Sequence, residues 1–413
     1  MSRKQKIPFT ESILALVVCS ALAACGGSNS NNTTKVTPTT PTTPTTPTTN
    51  ELGISAVPQA LAATFTRALK FDRYTKVDTP NGGEIHILAQ DEITENQIVR
   101  ARNILQHFLT DYPGSAYGAD KSAIANKMAE NGATLMLLNG VDDGTNAAAE
   151  LDGQPLYYGE MQVEGHSWYI NQNYEHRDAS YEEILHLVHD YGIGVDQNED
   201  FLGALVDYQT EVRAAQVNAL SGQLWAWSSE LADWLAELTA ENSLTQEYLA
   251  SVLDSFYGLW GAFDGDYGMW NFYVAKTRND LAPKDPLGAA LMAQFFHPYL
   301  TYNARIDESF TGDFSLKFQS SLAYTHHAQY LKNITLTGIN DSNVIVNQLD
   351  NNISGNTGTN TVIFSGPSSE YQISKESEQL TVADLQDNRD GSNTLVAIEK
   401  LQFTDTTINS SSL

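Results

Sequence analysis

"YEEILHLVHDYG" (181–192) places two of the chain's nine histidines three residues apart, directly after two glutamates. At about 100° per residue, Glu182, His186 and His189 fall at i, i+4 and i+7, within roughly 60° of one another. Ile184, Leu185, Val188 and Tyr191 cover the opposite side. Ser180 with Glu183 fits the capping-box pattern S-x-x-E and Gly192 offers a stop, so the spacing predicts an amphipathic helix from 180. Two readings of its polar stripe stay open. It holds a metal ion, or it is the solvated face of a surface helix whose acidic start and histidine-bearing end suit the helix dipole.

Three N/O ligands would leave a fourth position on zinc for water, which then becomes a nucleophile near neutral pH. Glu183, next to the first candidate ligand, is placed as the base. The stretch Glu182-Glu183-x-x-His186 resembles the H-E-x-x-H helix of the zincins, with glutamate in place of the first histidine and His189 one turn on. The resemblance implies Zn2+ held by Glu182, His186 and His189, with Glu183 handling protons in a metallopeptidase-type hydrolysis of a peptide or other extracellular substrate. Zincins often draw a last ligand from a following helical lobe. Glu211, with Asp207 one turn before it, is the candidate here, and His326 and His327 in "YTHHAQY" are further ones.

The surrounding pattern is that of an α+β domain: a small mixed sheet with helices, then a helical second lobe. "GEIHILA" (83–89) alternates as a strand, and Thr94 with Gln97 caps a helix that "YPG" (112–114) ends. A second helix near 120–131 precedes a buried strand, "ATLMLL" (133–138). "LYYGEMQV" and "HSWYI", separated by Glu164-Gly165, are predicted to pair as a hairpin. Leu224, Trp227, Leu231, Leu235 and Leu238 share one helical face, and Ser243 with Gln246 caps another helix reaching about Gly261. At this spacing the tryptophans of 225–270 are core residues. Asp264 and Asp266 in "GAFDGDYGMW" are read as a surface turn.

The chain opens with Arg3, Lys4 and Lys6 and the apolar run "ILALVVCSALAA", too short to span a bilayer and typical of a secretory signal. "LAAC" (22–25) resembles the bacterial lipobox, which implies cleavage before Cys25 and membrane attachment through a lipid on its sulfur. Gly26 in the next position favours the outer membrane or cell surface. Residues 25–50 then form a tether, whose proline at every third position favours extended chain reaching on the order of 60–70 Å. Cys19 and Cys25 are the only cysteines, so the mature domain has no thiol for a disulfide, a nucleophile or a thiolate metal site. The formal charge is −27; removing the signal (net +2 from Arg3, Lys4, Lys6 and Glu11) leaves about −29, which repels phosphate backbones and argues against nucleic-acid binding.

Composition divides the chain into a signal (1–24), the tether (25–50), an α+β domain (51–335) and a small C-terminal β module (336–413). Within the last, "GNTGTNTVI" (355–363) and, more distantly, "GINDSNVIV" (338–346) resemble the nonapeptide calcium repeat of hemolysin-type (RTX-like) exported proteins. "VADLQDNRDGSNTLVAIEKLQFTD" (382–405) is similar to the segment that follows such repeats. The resemblance implies Ca2+ between turns. Asn343 and Asn360 stand where those repeats carry aspartate, so weak calcium binding, involving Asn360 and Asp390, stays open beside a purely structural module. No G-x-S-x-G elbow, Walker loop or dinucleotide fingerprint is present. The expectation is therefore a lipid-anchored zinc hydrolase, with a noncatalytic surface adhesion or binding protein as the alternative.

Overall fold

A computed structural model describes residues 48–174, 177–195 and 203–413. The signal, Cys25, the tether up to residue 47 and part of "EHRD" (175–178) lie outside the described residues. Strands β1 (Phe71–Asp78) and β2 (Glu84–Gln90) pair antiparallel. Helices α1 (Glu95–Leu109) and α2 (Ser122–Glu130) cross over to β3 (Thr134–Leu138), parallel to β2, and β4 (Gln154–Tyr157) adds parallel to β3. The α1 capping box forms as expected: Thr94 Oγ1 accepts from Gln97 N and Gln97 Oε1 accepts from Thr94 N. Alternation sorts the sheet's side chains. Ile85, Ile87, Leu135 and Leu137 enter the main core, while Leu88, Met136 and Leu138 pack with Phe65 and Phe71 on the far face.

The expected hairpin does not form. "HSWYI" lies in helix α3 (Ser167–Asn171), started by His166 Nδ1 accepting from Trp168 N. Gly165 sits against Ile306 and Phe310, and Glu164 O accepts from Asp307 N, which directs the chain away from the edge of β4. Helix α4 (Ser180–Val188) follows and packs on α1, β4 and α7 (Leu244–Phe256). Between α4 and α7 come α5 (Val206–Ser221) and α6 (Ala232–Glu241). The face predicted from Leu224 to Leu238 is therefore interrupted. Gln223 and Ala226 take left-handed backbone and Ala226 N donates to Phe272 O, turning the chain before α6. Helices α8 (Arg278–Lys284) and α9 (Pro286–Phe295) complete the lobe. No helix among the described residues is long and apolar enough to cross a membrane.

The rest of the chain winds as a two-sheet β-roll. Strands β5 (Leu300–Ile306) and β6 (Gly312–Ser315) form its first coil, followed by helix α10 (Thr325–Ala328). Then come β7 (Leu331–Leu336), β8 (Ser342–Ile345), β9 (Asn352–Ser354) and β10 (Thr361–Ile363). A hairpin of β11 (Tyr371–Glu376) and β12 (Gln379–Asp384) precedes β13 (Ser392–Val396), β14 (Lys400–Gln402) and β15 (Thr407–Asn409). β5, β7, β9 and β13 run parallel in one sheet, and β6, β8, β10 and β14 run parallel in the other. The boundary expected at 335/336 falls at the end of β7, inside this continuous winding, which starts at Leu300. Ile334, Val344, Ile353, Val362, Leu395 and Leu401 fill its interior.

The residues expected at calcium sites serve the roll. Asn360 Oδ1 accepts from Asn356 N while its Nδ2 donates to Ser342 O. Asp390 accepts from Ser365 N, Ser365 Oγ and Tyr371 OH. Asn343 Nδ2 donates to Asp313 Oδ1. These protein donors and acceptors already engage the groups offered for calcium, which favours the structural reading of the module.

Candidate metal centre

Helix α4 is fixed at its start. Asp178 Oδ1, rather than the expected Ser180–Glu183 box, caps it by accepting from Ser180 N at 3.1 Å. Arg100 of α1 pins that carboxylate, with NH2 2.5 Å from Asp178 Oδ2 and Nε 3.2 Å from Glu164 Oε2. Tyr302 of β5 donates to Glu164 Oε1 at 2.8 Å and lies 2.6 Å from the Tyr181 hydroxyl. His327 of α10 donates from Nδ1 to Tyr257 O and places Nε2 3.2 Å from Tyr181 OH. The β-roll and α1 together set the register of α4.

Glu182 and His186, one turn apart, face α7, from which Glu247 faces back. One ligand atom from each lies within 4.8 Å of the other two, and all three residues are buried. His186 Nε2 stands 3.7 Å from Glu247 Oε1 and has no hydrogen-bond partner among the described residues, a buried nitrogen in search of one. One imidazole and two carboxylates suit a borderline divalent cation, so this group could hold a metal ion. Glu183 lies just outside it: its Oε2 is 3.6 Å from His186 Nδ1 and accepts from Gln154 Nε2 of β4 at 2.7 Å. The side chains of Glu183 and Glu247 keep 14% and 11% of their surface exposed, against 4% for His186.

Of the four residues expected as ligands, Glu182 and His186 come together and His189 and Glu211 do not. His189 begins a π-helical turn (His189–Ile193) that rotates it toward α5, where Nε2 donates to Gln209 Oε1 at 2.6 Å. Gly192 does not stop the helix; it seats this wider turn against Ile124 and Met128, and the left-handed Gly194 ends it. Glu211 accepts from Tyr117 OH at 2.7 Å, and Asp207 is exposed on α5. His326 packs on Phe318, while His327 is committed to Tyr257 and Tyr181. Glu247 was missed. Its signal was available: Glu247 and Asp254, at i and i+7, are the two charged residues of a helix that is otherwise uncharged and largely buried.

Charges in the centre are densely set. Arg177 pairs with the Glu182 carboxylate and reaches Asp254 Oδ2 at 3.5 Å. Burial pushes the His186 imidazole down, but the hydrogen bond to Glu183 and the charge of Glu247 outweigh it and hold the pKa at about 9. Burial raises Glu247, and it lifts Asp254 to about 7 against the opposing pull of Arg177. Glu160, beside β4, is raised to about 8, first by burial and then by the charge of Glu183.

Glu160 yields a pH prediction. A carboxyl raised on folding binds more protons in the native state between its unfolded and folded pKa values, so its contribution to stability is lost as pH rises through about 8. Glu160→Gln is thus expected to match wild type near pH 5 and to exceed it by on the order of 2 kcal/mol at pH 9. Urea melts at both pH values measure this; a difference that is constant or shrinks with pH would refute it.

No protein-family model matches this chain, and no curated protein is significantly similar to it.

Proposed function

We propose that the chain is an exported, lipid-anchored zinc hydrolase of metallopeptidase type, displayed at the outer membrane or cell surface. The reading is carried by one observation: Glu182, His186 and Glu247 converge from two helices in one buried group. These three would hold the ion, which when bound would polarise a substrate carbonyl and acidify water. Glu183 is the carboxylate on the solvent side and takes the proton; Gln154 fixes its orientation. Tyr181, on the same helix, is locked by Tyr302 and His327, which holds the ligands in place as substrate binds.

A second reading, a noncatalytic surface adhesion or binding protein, draws on the pairing of Arg177 with Glu182, in which a protein cation already balances a ligand carboxylate. Zinc stoichiometry by elemental analysis and cleavage of a quenched fluorescent peptide mixture separate the two. Glu183→Gln is expected to retain zinc while losing about 100-fold in turnover. Zinc uptake by wild type with no cleavage of any peptide would favour the second reading.

A further inference from the structure

Arg177 is held in place from several sides. Its guanidinium meets the Glu182 carboxylate, reaches Asp254 Oδ2 at 3.5 Å, and lies 5.5 Å from the Trp270 ring centroid. Trp270 sits in the middle of three consecutive left-handed non-glycine residues, Met269 (φ 47°), Trp270 (φ 50°) and Asn271 (φ 72°). Such backbone is unfavourable and persists only where its surroundings impose it. Gly268 N donates to Tyr273 O, Ala226 N donates to Phe272 O, and Trp270 Nε1 donates to Tyr174 O at 2.8 Å. The indole carried by this backbone stands beside the arginine and also packs on Trp260.

A second observation lies on the other side of that arginine. A small cavity of about 10 Å3, room for about one water, is walled by Trp168, Tyr169, Tyr174, Arg177, Asp254 and Trp260 among others. Trp168 Nε1, Tyr169 OH and Asp254 Oδ1 are buried in this wall without a hydrogen-bond partner among the described residues. Tyr169 and Asp254 are 1% and 4% exposed, so a free carboxylate oxygen and a free hydroxyl are kept inside the protein next to the guanidinium. Each such group costs free energy unless it acquires a partner in some state of the molecule.

We propose that Arg177 is an internal cation that exchanges with the metal ion at Glu182. This rests on the metal-centre reading above and adds its regulation. Without metal, the guanidinium neutralises Glu182. When a divalent cation takes that carboxylate, the guanidinium withdraws toward Asp254 Oδ1 and Tyr169 OH, which then gain the partner they lack. Binding must displace a tethered charge, so the apparent affinity for metal is reduced by the fraction of protein in which Glu182 is free of Arg177.

The test is a Zn2+ titration of the purified protein by competition with a chromogenic chelator, with thermal melts to verify folding. Arg177→Gln removes the competing charge and is expected to bind Zn2+ about tenfold to a hundredfold tighter than wild type. Trp270→Phe loosens the seat of the arginine without touching a carboxylate and is expected to tighten binding about threefold. Zn2+ should change tryptophan emission in wild type as the guanidinium leaves Trp270, and change it much less in Arg177→Gln. Uptake by wild type with equal or weaker binding in both variants would overturn the exchange and leave the hydrolase reading standing. No uptake by any of the three proteins would overturn both.

Discussion

Replacing His186 with alanine is expected to lower zinc affinity by roughly 10²–10³-fold. The size follows from structural zinc sites, where about 10–16 kcal/mol is shared among four ligands, about 2.5–4 kcal/mol each. His186 supplies the one nitrogen of the Glu182–His186–Glu247 group, and among the described residues its Nε2 has no hydrogen-bond partner. Carboxylates alone make a harder site, so the variant should also shift preference away from zinc toward magnesium and calcium. Elemental analysis after dialysis against zinc checks the first effect, and competition between the ions checks the second. Equal zinc in wild type and His186→Ala would show that the histidine is not a ligand. His189→Ala is the control, because its ring bonds Gln209 instead, and it should leave zinc content unchanged.

The second large effect is on stability. Arg100 is 4% exposed and is the cation between Glu164 and Asp178, themselves 1% and 6% exposed. Arg100→Met keeps much of the volume and leaves two buried carboxylates without it, a loss of about 3–5 kcal/mol. The cap that Asp178 gives α4 would also weaken. Chemical denaturation of wild type and variant measures the difference. The triple change Arg100→Met, Glu164→Gln, Asp178→Asn, which removes all three charges together, should recover more than half of it. A single-variant loss below about 1 kcal/mol would mean that water reaches the triad and the burial argument fails.

What could be read from the sequence was mostly local. The α1 cap, the buried strand β3 and the pairing of Glu182 with His186 by helical spacing each depend on a few neighbouring residues. What escaped depends on packing. Glu247 belongs to the group only because α7 lies on α4, and no spacing within either segment encodes that. His189 leaves the stripe because Gly192 fits between Ile124 and Met128, allowing a π turn where an ideal helix was assumed. The expected Ser180–Glu183 box gives way to Asp178, which Arg100, on a distant helix, holds at the start of α4. The asparagine- and glycine-rich turns marked the later coils of the roll, whereas β5 and β7 have ordinary strand composition and were assigned to the preceding domain.

That first coil has a temporal consequence. Tyr302 and His327 bond to Tyr181, so the helix carrying Glu182 and His186 waits for residues well over a hundred positions downstream. A ribosome or a translocation channel delivers a polypeptide from its amino end, and while the later segment is still inside, the earlier one has no template to settle on. The contacts that hold the metal group's helix are therefore complete only once residues 302–327 are available to fold against it.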